Sequence, residues 1–101
     1  MSNSIKVRIE LRGNEATVRM LIRHPMEIGG RRKNGEYIAP HFITHVSCKH
    51  NGLTVAQAHW GPGISKNPYL SFVIGGANSG DKIEVRWMDN QGATDEYGTE
   101  I

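Results

Sequence analysis

Apolar and charged residues alternate without a break at the start of the chain. The apolar positions are Ile5, Val7, Ile9 and Leu11, and every position between them is charged. A period of two residues places consecutive side chains on opposite faces of an extended chain, so the pattern predicts a half-buried β-strand. The same period recurs in Glu15 to Ile22 and in Lys82 to Met88. The chain is therefore expected to fold from short strands.

Turn-forming residues separate these segments at short intervals. Gly13-Asn14 follows the first strand, and Asn51-Gly52 is typical of a type I′ hairpin turn. The predicted strands are Ile5 to Leu11, Glu15 to Ile22, His41 to His50, Leu53 to Trp60, Tyr69 to Ile74, Lys82 to Met88 and Thr94 to Ile101, with a long loop from Arg23 to Pro40. Seven strands without a helical period predict an all-β, immunoglobulin-like β-sandwich.

The length and charge of the chain limit its partners. Its 101 residues suffice for one domain with one core, spanning residues 1–101. The formal charge of +2 is dispersed apart from Arg31-Arg-Lys33, which is interpreted as a solvated loop tip. A positive charge this small and dispersed is not typical of a nucleic-acid-binding protein. No apolar run approaches the roughly 20 residues of a membrane helix. We expect neither nucleic acid nor membrane as a partner.

The cysteine count and the N-terminus bear on the cellular compartment. Cys48 is the only cysteine, so no internal disulfide can form. Residues 1–4 lead directly into the first strand, without the charged and apolar regions of a signal peptide. These observations alone indicate a cytoplasmic protein. Cys48 lies in the middle of a predicted strand, near Val46. We therefore expect its thiol to have a structural role as a small apolar side chain.

Motifs for enzymatic chemistry are absent from the sequence. Ser65, Ser71 and Ser79 lack the context of a nucleophile elbow. The glycines of residues 75–80 precede a predicted strand and not a helix, which argues against a phosphate-binding loop. We therefore expect a chain that is not an enzyme and carries no cofactor.

The histidines raise the possibility of a metal site. Five are available: His24, His41, His45, His50 and His59. Cys48 and His50 are two residues apart and would share one face of a strand. A blue copper site would need a second histidine and a methionine soon after the cysteine, whereas the next methionine is Met88. We predict no metal ligands in this chain.

The loop between the predicted fourth and fifth strands has a strongly restricted backbone. Pro62 and Pro68 restrict φ, and glycines at positions 61 and 63 permit positive φ. Lys66 and Asn67 lie in the polar part of this loop. The pattern is compatible with a tight connection between strands, and it is also typical of a rigid recognition loop.

Several apolar residues fall on the predicted outer faces of the strands. These are Leu21, Ile43 and Val73, while Trp60 and Tyr69 flank the restricted loop. Apolar residues on both faces of a strand indicate that a partner covers one sheet, and aromatic residues beside a rigid loop are suited to anchoring one. The sequence therefore predicts a protein-binding surface.

Several segments together resemble the SoxZ family of bacterial sulfur-oxidation proteins. They are His24-Pro-Met-Glu-Ile-Gly-Gly30, Pro40-His-Phe-Ile43, His50-Asn-Gly52, Asp81-Lys-Ile83 and the run from Trp60-Gly-Pro to Ser-Phe72. The resemblance covers essentially the whole chain.

The resemblance implies a non-catalytic subunit of the SoxYZ carrier. In that family the substrate is held on a cysteine in the C-terminal Gly-Gly-Cys-Gly-Gly motif of the SoxY partner, which this chain lacks. The resemblance also implies transient contact with other sulfur-oxidation enzymes and a periplasmic location, reached by export with the SoxY-like partner. The candidate partner-binding residues are Leu21, His24, Met26, Ile43, Trp60, Lys66, Asn67, Tyr69 and Val73.

Two other readings of the sequence remain open at this stage. The first is an iron-binding superoxide reductase, because His24-Pro-Met-Glu, His41-Phe-Ile and Cys48-x-His50-x-Gly52 are similar to fragments of its motifs for four histidines and one cysteine. The order of these fragments and the position of Cys48 depart from that family. The second is an adhesion-type module without a role in sulfur chemistry.

Overall fold

The strands seen in the structure follow the alternation of the sequence closely. The computed structural model describes residues 3–101. Within these residues the chain forms β1 (Ile5–Arg12), β2 (Glu15–Ile22), β3 (Arg31–Lys33), β4 (Glu36–Ile38), β5 (Ile43–His50), β6 (Leu53–His59), β7 (Tyr69–Ile74), β8 (Lys82–Asp89) and β9 (Thr94–Glu100). The seven longer strands agree with the predicted segments to within one or two residues.

The longer strands form two antiparallel sheets. One sheet has the order β1-β2-β7 and the other the order β6-β5-β8-β9. The predicted all-β sandwich is confirmed. The described residues contain no helix of the length and apolar character that crossing a membrane requires.

The strand count of seven was wrong, because the described chain contains nine strands. The segment from Arg23 to Pro40, predicted as a loop, includes the hairpin β3-β4. Asn34 and Gly35 connect its strands with φ values of 53° and 82°. Positive φ at two successive residues is the requirement of a type I′ turn. Strands of only three mostly exposed residues have too little apolar alternation for the sequence pattern to reveal them.

The core lies between the two sheets. It is formed by the inward-facing residues predicted from the alternation in β2 and β8 and by their counterparts in β5. The largest completely buried side chains are Met20, Ile22, Ile43, Ile83, Val18, Val46, Val85 and Cys48. Trp87 is buried, as predicted, and its Nε1 donates a hydrogen bond of 3.0 Å to Ser4 Oγ. Phe72 packs against the core and remains partly exposed.

Ile43 is a correction to the predicted outer face. Its relative exposure is 0%. The pairing of β5 with β8 shifts between Ile43, which lies opposite Asp89, and His45, which lies opposite Met88. Such an irregularity changes the phase of the side-chain alternation, so Ile43 points into the core although His45 faces outward.

The two long edges of the sandwich differ. At the edge formed by β1 and β9, the backbone N–H and the hydroxyl of Ser4 both contact Asp95 Oδ2. The edge between β6 and β7 is open, and an apolar groove there is lined by residues that include Ala56, Ala58 and Leu70. Cys48 lies at this groove but is only 1% exposed.

Candidate functional site

Three connections meet at one end of the sandwich. They are the segment after β2, the loop of residues 61–68, and the turn after β8. This end contains most of the residues predicted to bind a partner. We call the loop of residues 61–68 the Gly/Pro loop.

The Gly/Pro loop is tied to the segment after β2. The His24 N–H donates to Asn67 Oδ1 at 3.1 Å, and the Asn67 N–H donates to the His24 carbonyl at 3.0 Å. The Ile22 N–H donates to the Pro68 carbonyl at 3.0 Å, and Ile64 packs against the core. Asn67 also has a φ of 51°, a left-handed conformation that asparagine tolerates better than most residues. The structural role of Asn67 is therefore evident, while Lys66 is exposed at the tip.

Asp89 is the centre of a buried polar cluster at the same end. Its Oδ2 contacts Nε2 of His24 at 3.0 Å and Nε2 of His41 at 2.8 Å. Its Oδ1 accepts hydrogen bonds from the N–H groups of Gln91 at 3.0 Å and Ala93 at 2.9 Å. Burial raises the pKa of the Asp89 carboxyl, but these four hydrogen bonds outweigh it, and the pKa is lowered from its ordinary value.

The hydrogen bonds of His24 define its tautomer. The Met26 N–H donates to His24 Nδ1 at 3.1 Å, so Nδ1 carries a lone pair and no proton. The proton of the neutral ring therefore lies on Nε2, where it is donated to Asp89. A proton on Nδ1 would face the Met26 N–H directly, which would leave two donors in contact. These two hydrogen bonds fix the orientation of the His24 ring at the loop end.

The cluster has the composition of a metal site but a different chemistry. One ligand atom from each of His24, His41 and Asp89 lies within 4.8 Å of the others. Metal binding through His24 Nε2 would require the ring proton to move from Nε2 to Nδ1. The Nδ1 proton would then face the Met26 N–H, and the hydrogen bond between these two groups would be lost. The donors present therefore fit a closed hydrogen-bond network better than a metal ion.

The role of Asp89 at the centre of this cluster was not predicted from the sequence. His24 and Asp89 are 65 positions apart, and no local pattern connects them. The nearest signal was the position of Asp89 at the start of the turn after an alternating strand.

The histidines and the cysteine do not form the iron site of the superoxide reductase reading. Among residues 3–101, His24 and His41 contact Asp89, His45 and His59 pack against each other, and His50 bonds to Asp81. Cys48 lies in the core, apart from the one cluster of three potential ligands. The expected four-histidine, one-cysteine set is not assembled.

Cys48 is shielded from solvent chemistry. Burial raises the pKa of the Cys48 thiol to about 11. Because the thiolate is the reactive species, the thiol is inert near neutral pH in the folded protein.

The predicted partner-binding residues divide into two groups by exposure. Leu21, Tyr69 and Val73 are 41%, 60% and 57% exposed on the outer face of the β1-β2-β7 sheet, where Leu21 lies directly opposite Tyr69. We call these three residues the apolar patch. Trp60 is half-buried and packs against the core.

The second group is not on the surface. His24, Met26 and Ile43 are buried, with exposures of 3%, 6% and 0%. Within this chain each of the three is enclosed by the loop end or by the core, and contact of these residues with a partner stays a prediction. Met26 Sδ accepts a hydrogen bond from the Ile43 N–H at 3.3 Å, which joins two of the three to each other.

Comparisons with known proteins support one family. One similar solved structure is the crystal structure of the hypothetical protein PH1083 from Pyrococcus horikoshii OT3, with a TM-score of 0.68, 16% identity, and coverage of 99% of this chain and 88% of that chain. At that identity the likeness concerns the fold alone. Among curated proteins none matches significantly. The family profile of the sulphur oxidation protein SoxZ matches residues 5–100. The chain therefore belongs to the SoxZ family and has a role in sulfur oxidation.

Proposed function

We propose that this chain is the non-catalytic subunit of a heterodimeric carrier in which a SoxY-like partner holds the sulfur substrate on its C-terminal cysteine. The observation that carries the proposal is the apolar patch of Leu21, Tyr69 and Val73. These side chains project from a sheet whose opposite face already forms the core. Exposed apolar side chains on one sheet face, here with Leu21 and Tyr69 as direct neighbours, are typical of a surface that a protein partner covers.

The charges around the apolar patch suit an acidic partner surface. Lys6 is paired with Leu21, and Arg8 is paired with Arg19 on the same face. Glu10 offsets part of this charge through contacts with Arg12 at 2.8 Å and Arg19 at 3.5 Å. An excess of positive charge beside an apolar centre is the arrangement expected for a directed protein interface, because charge complementarity favours one partner and one orientation.

The state of Cys48 supports placing the sulfur chemistry on the partner. Substrate loading requires an accessible thiolate, whereas the Cys48 thiol is buried and has a pKa of about 11. The chain has no other cysteine. Its contribution is therefore to hold and present the partner, and the exposed Lys66 of the Gly/Pro loop is available for transient contact with other sulfur-oxidation enzymes.

A periplasmic location completes the proposal. The chain would be exported together with its SoxY-like partner, so its location depends on complex formation. Fractionation of cells that express the chain with and without the partner tests this point. Periplasmic recovery in the absence of the partner would contradict co-export.

Co-expression with a SoxY-like chain tests the heterodimer. Size-exclusion chromatography with light scattering is expected to give a complex of one copy of each chain at micromolar concentration. A stable interface of this kind buries on the order of 1,600 Å². Separate elution of the two folded chains would contradict the carrier role.

A further inference from the structure

Two histidines are directly opposed on the outer face of the β6-β5-β8-β9 sheet. His45 of β5 is the cross-strand partner of His59 of β6, and their ring centroids are 4.8 Å apart with an angle of 41° between the ring planes. This face lies on the side of the sheet away from the core.

The backbone around this pair brings the two imidazoles close together. The Trp60 N–H donates to the Thr44 carbonyl at 2.9 Å, which makes the neighbouring residues a hydrogen-bonded pair. In an antiparallel ladder such pairs alternate with non-hydrogen-bonded pairs, whose side chains approach more closely. His45 and His59 are a non-hydrogen-bonded pair, so their side chains are close together. The strand backbone sets this proximity, and no loop has to become ordered to produce it.

A neighbouring side chain selects the tautomer of His45. Its Nε2 lies 3.2 Å from Oε1 of Gln57. A carbonyl oxygen only accepts hydrogen bonds, so with the Gln57 amide in this orientation Nε2 carries the proton and Nδ1 keeps its lone pair. An imidazole whose second nitrogen donates to a protein oxygen is the usual form of a metal-binding histidine.

Met88 adds a third potential ligand to the same row. It lies opposite His45 on β8, is 41% exposed, and together with His45 lines a surface depression of about 280 Å³. The charged groups of that depression are Lys49, Glu84, Arg86 and Glu96, two of each sign, so a cation entering it meets no net repulsion.

We propose that His45, His59 and Met88 form a surface site for copper ions. Imidazole nitrogens suit Cu²⁺, which forms the most stable complexes among the divalent first-row metals, and a thioether is a soft ligand that favours Cu⁺. The two imidazoles bind Cu²⁺ with water in the remaining positions, and Met88 contributes mainly to Cu⁺ binding. The site is independent of the SoxY-like interface, since it lies on the other sheet.

Titration of the purified chain with Cu²⁺, followed by calorimetry, tests the site. His59→Ala is expected to weaken Cu²⁺ binding by about tenfold or more, equivalent to at least about 1.4 kcal/mol. Thr54→Ala, an exposed substitution on the same strand, is the matched control and leaves the affinity unchanged. Met88→Leu is expected to weaken Cu⁺ binding, measured by competition with a chromophoric Cu⁺ chelator, while Cu²⁺ affinity stays within about threefold. Equal affinity of His59→Ala and the unsubstituted chain for Cu²⁺ would overturn the proposal.

A measurement on the unsubstituted protein avoids any dependence on folding of the variants. Cu²⁺ is paramagnetic and broadens the amide NMR signals of nearby residues. Broadening at substoichiometric Cu²⁺ should centre on residues around His45 and His59. Broadening centred on His24 and His41 would show that copper prefers the loop end, and would overturn the assignment.

Discussion

His24 and Asn67 exchange two hydrogen bonds across 43 positions of sequence, one from each backbone N–H. The side chain of Asn67 supplies one acceptor, and the backbone of His24 supplies the other. This exchange joins the Gly/Pro loop to the segment that leads into the Asp89 cluster. The orientation of Lys66, the adjacent residue in the loop, therefore depends on Asn67.

Asn67→Ala is expected to destabilise the protein by about 1–2 kcal/mol. The substitution removes the acceptor of the His24 N–H. It also puts alanine, which tolerates positive φ less well than asparagine, at a position whose φ is 51°. Urea unfolding measures the change. Asn67→Gly separates the two causes, since glycine accepts the φ value but lacks the acceptor. Full stability of both variants would contradict the structural role of Asn67.

Lys66→Ala is expected to change stability by no more than about 0.5 kcal/mol, because Lys66 is exposed. If the Gly/Pro loop contacts pathway enzymes, this variant should reduce turnover of the loaded carrier at unchanged melting temperature. Unchanged turnover with unchanged stability would remove Lys66 from the recognition surface.

Asp89→Asn is expected to cost about 3 kcal/mol at neutral pH, since the carboxamide replaces one oxygen of a buried carboxylate that accepts four hydrogen bonds. Chemical denaturation provides the measurement. Glu96→Gln, the same chemical change at an exposed site of β9, is the control and is expected to have little effect.

The cost of Asp89→Asn should also depend on pH. The folded pKa of Asp89 lies below its ordinary value of 3.8, so the carboxylate contributes stability above that value. This contribution is lost as the pH falls through the lower folded pKa. The difference between the two proteins should therefore shrink in acid. A difference that is constant from neutral pH to the acid limit would contradict the ionised state of Asp89.

Leu21→Asp is expected to weaken association with a SoxY-like partner by more than about 1 kcal/mol, because it introduces a charge into the apolar patch directly opposite Tyr69. Leu53→Asp is the matched control, since Leu53 is 71% exposed on the other sheet. Calorimetric titration of each variant with the partner compares them. Equal effects of the two substitutions would place the interface elsewhere.

Cys48 is expected to resist alkylation in the folded protein. With a pKa of about 11, about one thiol in a thousand is ionised at pH 8, and the side chain is buried as well. Mass spectrometry after iodoacetamide treatment, with denatured protein as the control, measures the reaction. Cys48→Ala should cost about 1–2 kcal/mol through loss of packing and leave substrate loading unchanged. Loss of loading in the folded variant would show that this thiol takes part.

Gly29→Ala is expected to be clearly more destabilising than Gly30→Ala. Both residues have positive φ, 77° and 71°, so both substitutions carry the same backbone strain. A β-carbon at Gly29 would lie 2.6 Å from the Pro40 nitrogen. A β-carbon at Gly30 would have no atom within 4 Å apart from those of its chain neighbours. The difference in unfolding free energy isolates the steric contact. Equal costs would show that the segment around Pro40 moves freely.

The sequence alone was sufficient to place the seven longer strands and two of their turns. Alternation in β2 and β8 and the Asn51-Gly52 turn are local properties, because they depend only on side-chain direction and on which residues accept positive φ. The SoxZ resemblance was also present in the sequence, as short motifs in a characteristic order.

Only the tertiary structure decided which residues meet. Ile43 entered the core because the register with β8 shifts, and the Asp89 cluster and the His45–His59 pair join residues that are distant in sequence or on different strands. Register and the approach of loops follow from packing of the whole sandwich, in which a shift of one residue exchanges the two faces of a strand. For that reason His24 and Met26, marked by the family motif, are buried within this chain, while Leu21, Tyr69 and Val73 are exposed on one sheet face.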